Sequence, residues 1–267
     1  MKRGLGQIER LLFAYVQLRG LPTVRAGELV DPLQLSAIQE RKVLSRLAKA
    51  GLIVRVRRGL YLVPPKLPLG GKWSPDEILA LNTLMDDQEG RYQICGPNTF
   101  NRYGFDNQVP TRVYAYNNRL SGDRRIGSVA ITLIKVADER LGSTEEVKTP
   151  GALTAVYSSR VRTLLDAVYD WSRFNSLPRA YQWIRGEIAA KRVLSADLIA
   201  VTLKYGDKGT IRRIGALLER EGLAGRPSLA KLERALSPST ALIPWIPTYP
   251  KRGTVNRRWG VVINEQS

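Results

Sequence analysis

The sequence predicts an α+β protein: an N-terminal winged helix-turn-helix domain, followed by a larger mixed α/β domain with a small sheet and a C-terminal helical cluster. Three observations predict it. Residues 36–51 read as a capped amphipathic helix with a basic outer face, and the arginine-tipped hairpin Leu52-Ile-Val-Arg-Val-Arg-Arg-Gly-Leu-Tyr-Leu-Val63 follows at once. Residues of about 91–157 are broken into short β-branched and aromatic runs separated by Gly, Pro, Asn and Asp. From about 160 to 236 the apolar period becomes helical.

Taken in order, Ile8, Leu11, Leu12, Tyr15 and Val16 recur at helical spacing and give a first helix of about residues 4–18, ending near Gly20. Thr23 is placed to cap a short second helix through Ala26–Val30. In the third helix Ser36 and Gln39 fit a capping box, and Gly51 supplies a left-handed stop. Val43, Leu44 and Leu47 share one arc, while Ile38, Arg41, Lys42, Ser45, Arg46 and Lys49 share the opposite one. Gln39 reads as the capping partner ahead of a base reader. Ile38 reads as packing on the first helix ahead of a contact to a thymine methyl. The hairpin alternates apolar and polar residues to Arg57 and turns at Arg58-Gly59. Domain boundaries follow: residues 1–66 for the winged helix, 67–73 for a Pro- and Gly-rich linker, 74–267 for the second domain.

The second domain opens at Ser74-Pro-Asp-Glu77, which reads as an N-cap, a first-turn proline and a capping-box glutamate, with a helix to about Asp86. Strands are expected at 92–95, 111–116, 129–136 and 153–157, with one short helix over Gly96–Gly104. Helices follow on Val161, Leu164, Leu165 and Val168, then on Ile184 and Ile188, then on Leu198, Ile199 and Leu203, and over Thr210–Glu221 to a stop at Gly222. A final strand is expected at about 258–264.

Charge narrows the chemistry. Lys and Arg number 42 against 24 Asp and Glu, a formal +18. Residues 1–72 carry 14 basic and 4 acidic side chains, so polyanion attraction is concentrated at the N-terminal end. Arg41, Lys42, Ser45, Arg46 and Lys49 on the helix, with Arg55, Arg57 and Arg58 on the wing, are the candidate DNA-binding residues. No apolar run long enough to span a bilayer and no leader-like segment stands out, so a cytoplasmic protein without membrane association is expected. Cys95 is the single cysteine and histidine is absent, which excludes an intrachain disulfide, zinc fingers and His-dependent nucleophilic catalysis. No catalytic residue, metal or cofactor is assigned.

Arg57-Arg-Gly-Leu-Tyr61, Arg162-Thr-Leu-Leu-Asp166, Arg212-Arg-Ile-Gly-Ala-Leu-Leu-Glu219 and Arg258-Trp-Gly-Val-Val-Ile-Asn264 stand in an order that resembles the AbiEi family of antitoxin regulators. The resemblance implies a repressor of its own toxin–antitoxin operon, acting at inverted repeats in double-stranded promoter DNA and belonging to a phage-defence system. It also implies a C-terminal domain that neutralises a nucleotidyltransferase-like toxin, directly or functionally. On that basis Thr163, Asp166, Arg212 and Arg213 are candidates for the antitoxin surface, the alternative being that each caps a helix or pairs a charge. No coiled-coil seam is visible, so a monomer that pairs on DNA is expected. Two other classes are weighed: an RNA-binding regulator, in which the arginine wing matters more than the helix, and a Mg-dependent nuclease using Asp138, Glu146 and Lys148.

Overall fold

The computed structural model describes residues 5–67 and 72–265, so Pro68–Gly71 of the expected linker lies outside the described residues. The chain is a mixture of helices with three sheets. Helix α1 (Gln7–Leu18) buries Leu12, Phe13 and Val16 against α2 (Ala37–Lys49), which buries Val43, Leu44 and Leu47. Between them lies a correction to the sequence expectation. Thr23 does not cap a helix: Thr23–Arg25 is strand β1, and turns fill the segment up to α2. The reason is tertiary. Strand β3 (Leu60–Leu62) offers β1 an antiparallel partner, with Val24 opposite Tyr61, and ladder hydrogen bonds outcompete a one-turn helix.

Strand β2 (Val54–Arg57) completes the small sheet in the order β1-β3-β2, joined to β3 at Arg58-Gly59, where Gly59 has φ +81. This sheet is buried on both faces. Ile53, Tyr61 and Val63 join the core under α1 and α2, while Val54 and Leu62 join a different core with the rest of the chain.

Helix α3 (Glu77–Asp87) starts two residues later than expected: its N-cap is Asp76 in place of Ser74, and it accepts from the N–H of Ile78 at 2.8 Å. Ser74 serves elsewhere, its hydroxyl accepting from the backbone N–H of Ser128. Strand β4 (Tyr92–Ile94), helix α4 (Pro97–Arg102), β5 (Val113–Asn117), β6 (Gly122–Ile126), β7 (Val129–Lys135), β8 (Thr144–Lys148) and β9 (Thr154–Ser158) follow. They form a six-stranded mixed sheet in the order β6-β7-β5-β4-β9-β8, with β5–β7 and β4–β9 parallel. The two edge strands, Gly-Asp-Arg-Arg-Ile and Thr-Glu-Glu-Val-Lys, were not expected from the sequence. Edges tolerate charge on both faces, so the alternation that marks a half-buried strand is missing there.

One face of this sheet, with Val113, Ala115, Ile131 and Leu133, packs under α3 and the small sheet. Its other face, with Cys95, Tyr116 and Ile134, packs on helices α5 (Arg160–Tyr169), α6 (Trp171–Phe174), α7 (Arg179–Ala189), α8 (Ser195–Tyr205), α9 (Lys208–Arg220) and α10 (Arg226–Arg234). Leu198 and Ile199 of α8 are buried as expected, but Leu203 is exposed. A third sheet, β10 (Ile243–Pro244), β12 (Val261–Ile263) and β11 (Thr254–Asn256), closes the chain against α9, where Trp259 lies flat over Gly215. Among the described residues no helix is long and apolar enough to cross a membrane.

Candidate nucleic-acid interface

Helix α2 is held at both ends and underneath. Ser36 accepts from the N–H of Gln39 at 3.2 Å and the Gln39 side chain accepts from the N–H of Ser36 at 2.8 Å, so Gln39 is the capping partner. Beneath, the buried Glu40 carboxylate accepts from the N–H groups of Gly27 (2.7 Å) and Leu29 (2.9 Å), tying the preceding turns to the helix. A carboxylate this buried is tolerated because backbone donors satisfy it.

The opposite side of α2 is open. Ile38, Arg41, Lys42, Ser45, Arg46 and Lys49 are all exposed and line one shallow groove. Ile38 is 59% exposed, which corrects the reading that it packs on α1. Arg41 donates through Nε to the Ala37 carbonyl at 3.0 Å. Arg46 pairs with Glu9 of α1 at 2.7 Å, which fixes its guanidinium at the α1 side of the groove. Lys42 and Lys49 have no carboxylate partner among the described residues.

The hairpin arginines divide. Arg55 and Arg58 are exposed and carry no ion pair among the described residues. Arg57 instead turns to Asp87 at the end of α3, donating through Nε at 2.5 Å and Nη2 at 2.6 Å, and Arg25 of β1 donates to the same carboxylate at 2.8 Å. Asp87 has no exposed side-chain surface. The hydrogen bonds from Arg57, with those from Gln88 and Arg25, hold its carboxyl well below the usual carboxylate range. Sequence reasoning missed Asp87, Glu9 and Glu40, because a carboxylate at the end of one helix carries no sign of the strand that folds over it.

Three of the four candidates for an antitoxin surface are not on the surface. Thr163 and Asp166 are fully buried and Arg213 is nearly so. Asp166 lies 2.9 Å from the equally buried Arg162, one turn back on α5, and 3.6 Å from Arg140. Burial pushes the Asp166 carboxyl up, and those two guanidinium groups pull against that. The Thr163 hydroxyl donates to the Ser158 carbonyl, and Arg213 donates to the Pro244 carbonyl. Arg212 is half-buried and donates to the Ala241 carbonyl at 2.9 Å. The structure gives these residues framework contacts. Asp138, Glu146 and Lys148 do not make a metal site: Asp138 accepts from Arg91 and Asn118, both at 2.9 Å, and Lys148 donates to Thr154. Among the described residues no three acidic, cysteine or histidine side chains gather as metal ligands.

With this geometry in hand, the comparisons divide along the chain. Residues 12–64 match the family described as transcriptional regulator, AbiEi antitoxin. The AbiEi match thus covers α1 from Leu12 on, then β1, α2 and the β2–β3 hairpin, and stops before α3. The other motifs that resemble the AbiEi family lie outside it and are packed into one another. Glu219 accepts from Arg258 (2.6 Å) and from the Trp259 indole N–H (2.9 Å), and the Asn264 amide bridges to the Ile246 backbone. The crystal structure of the RV2827C protein from Mycobacterium tuberculosis is similar over 97% of this chain and 92% of its own, with a TM-score of 0.59 and 13% identity. At that identity the likeness concerns the fold alone. No curated protein matches the chain.

Proposed function

We propose that residues 5–67 act as a winged helix-turn-helix that binds promoter DNA, with α2 entering the major groove, and that the protein thereby represses its own toxin–antitoxin operon. The observation that carries this is the exposed arc Arg41, Lys42, Ser45, Arg46 and Lys49, held by a capping box and a buried glutamate, within the segment that matches a family of antitoxin regulators. A preformed helix with a basic outer face matches the width and charge of the major groove. The remainder of the chain would then supply the neutralisation of a nucleotidyltransferase-like toxin.

The test is a titration of the full chain against its upstream promoter and a scrambled duplex at two salt concentrations. Preference for the promoter that persists at the higher salt supports base readout, since phosphate attraction alone fades with salt. R41A or K42A should cost about 1–3 kcal/mol on the promoter where the side chain reads a base, and should flatten the preference. In cells carrying the neighbouring toxin gene, the same variants should lose repression and retain rescue. Loss of rescue together with repression would place both activities on α2 and overturn the division of labour.

A further inference from the structure

We propose that the hairpin formed by β6 and β7 extends the DNA-binding surface beyond α2 and the β2–β3 hairpin, with Arg124 contacting the phosphate backbone of the duplex. This rests on the DNA-binding reading above.

Strands β2 and β6 are the facing edges of two different sheets, and they touch. The seat is close. Gly127, in the turn after β6, has φ +63, and a Cβ there would come within 3.2 Å of both the Val54 side chain and Ser74. Ser74 and Ser128 share a hydrogen bond across the same seam at 2.5 Å. The β6–β7 hairpin is therefore pinned beside β2.

Register decides which arginine points where. Arg124 stands opposite Ile131, whose face of the sheet packs under Val54 and Leu62, so Arg124 shares the side on which β2 lies. Arg125 stands opposite Ala130 and takes the other face, with Asp123 and Thr132. Both are exposed, and neither has a carboxylate partner among the described residues. Arg112, by contrast, is already tied to Asp123 at 3.0 Å.

Between the end of α2 and the turn after β6 lies a groove whose described lining holds no acidic residue. Ala48, Gly51, Arg55, Lys72, Ser74 and Ser128 line it. Lys72 lies over Gly51, and the backbone N–H of Trp73 donates to the Gly51 carbonyl at 2.8 Å, which fixes this junction. Arg55 and Lys72 line this groove, Lys49 stands on the last turn of α2 at one end of it, and Arg124 stands on β6 beyond the turn at the other. Such a run of cations suits the polyanionic backbone of duplex DNA. It offers no fork into a groove, so its contribution is expected to be independent of sequence.

The experiment compares the full-length protein with R124A, R124K, R125A and R41A, titrated with the promoter duplex, a scrambled duplex and an RNA duplex over a series of salt concentrations. The expected result is that R124A weakens both duplexes alike and reduces the slope of log affinity against log salt by about one. R124K restores the slope, R125A keeps the wild-type slope, and the promoter preference is unchanged in all three. Equal losses in R124A and R125A would mark a net-charge effect and overturn the contact, as would a wild-type slope in R124A. A loss in R124A seen with an RNA duplex alone would overturn DNA as the partner. If the α2 reading fails, the wild type itself shows no promoter preference and R41A changes nothing specific. Absence of wild-type binding to either duplex overturns both proposals.

Discussion

Asp87 is the residue on which the two halves of the chain meet most sharply. Its buried carboxylate takes the charge of Arg25 and Arg57, so neither arginine is free for a phosphate while the pairs persist. D87N is therefore expected to release two cations, strengthening binding to promoter and scrambled duplexes alike and steepening the salt slope by up to about two. An unchanged slope would show that the released arginines do not reach a phosphate. The pH dependence has a definite sign. The folded carboxyl is depressed below its unfolded value of about 4, so its stabilising contribution is present above that pH and lost as pH falls through the folded value. Thermal midpoints of wild type and D87N should converge below about pH 4, and a gap that stays constant there would contradict the ion pair. Nothing in Met85-Asp-Asp-Gln88 marks Asp87 over Asp86; only the position of β2 selects it.

At the scale of elements, the best-read piece is α2, because everything that specifies it is local: Ser36 and Gln39 three residues apart, a 3.6-residue apolar stripe, and Gly51 with φ +74 after its end. The worst-read pieces are β1, β6 and β8, which exist only because a partner strand is present. Helix α9 shows the same contrast inside one element. Gly215 sits mid-helix, where alanine is ordinarily favoured by about 1 kcal/mol. Here a Cβ would fall inside contact distance of the Trp259 ring, a side chain that is 1% exposed and hydrogen-bonded to Glu219. Overpacking typically costs about 1–3 kcal/mol, so the clash outweighs the propensity. G215A should lower stability in urea unfolding; a stabilised variant would mean that the tryptophan moves aside. The motifs at 212–219 and 258–264 thus pack on each other, Trp259 over Gly215.

At the scale of the molecule, the N-terminal sheet is shared property. Leu62 is completely buried, yet its neighbours are Val54 on its own sheet and α3 and β7 beyond it. Four of the five tryptophans, Trp171, Trp183, Trp245 and Trp259, belong to the helical core, while Trp73 packs on the core that Leu62 shares, so fluorescence is weighted towards the larger part of the chain. L62A is expected to cost about 2–5 kcal/mol and to lower the unfolding midpoint seen by tryptophan fluorescence and by circular dichroism together. A shift in circular dichroism alone would show that the two parts unfold independently.

The sequence by itself determined what local chemistry can encode. Helix α2 with its cap and cationic arc, the Arg58-Gly59 turn, the apolar stripes of α5, α7 and α9, and the four inner strands of the large sheet were all legible, because period and turn residues operate over a few positions. The tertiary structure alone decided which charges are spent and which remain open. It gives Arg57 to Asp87, Arg46 to Glu9 and Arg140 to Asp166, turns Ile38 outward, and leaves Lys49, Lys72, Arg55 and Arg124 exposed without a carboxylate partner among the described residues. Ion pairs between residues far apart in the chain depend on where strands and helices land, and that placement is set by the burial of apolar faces rather than by any residue near the charges.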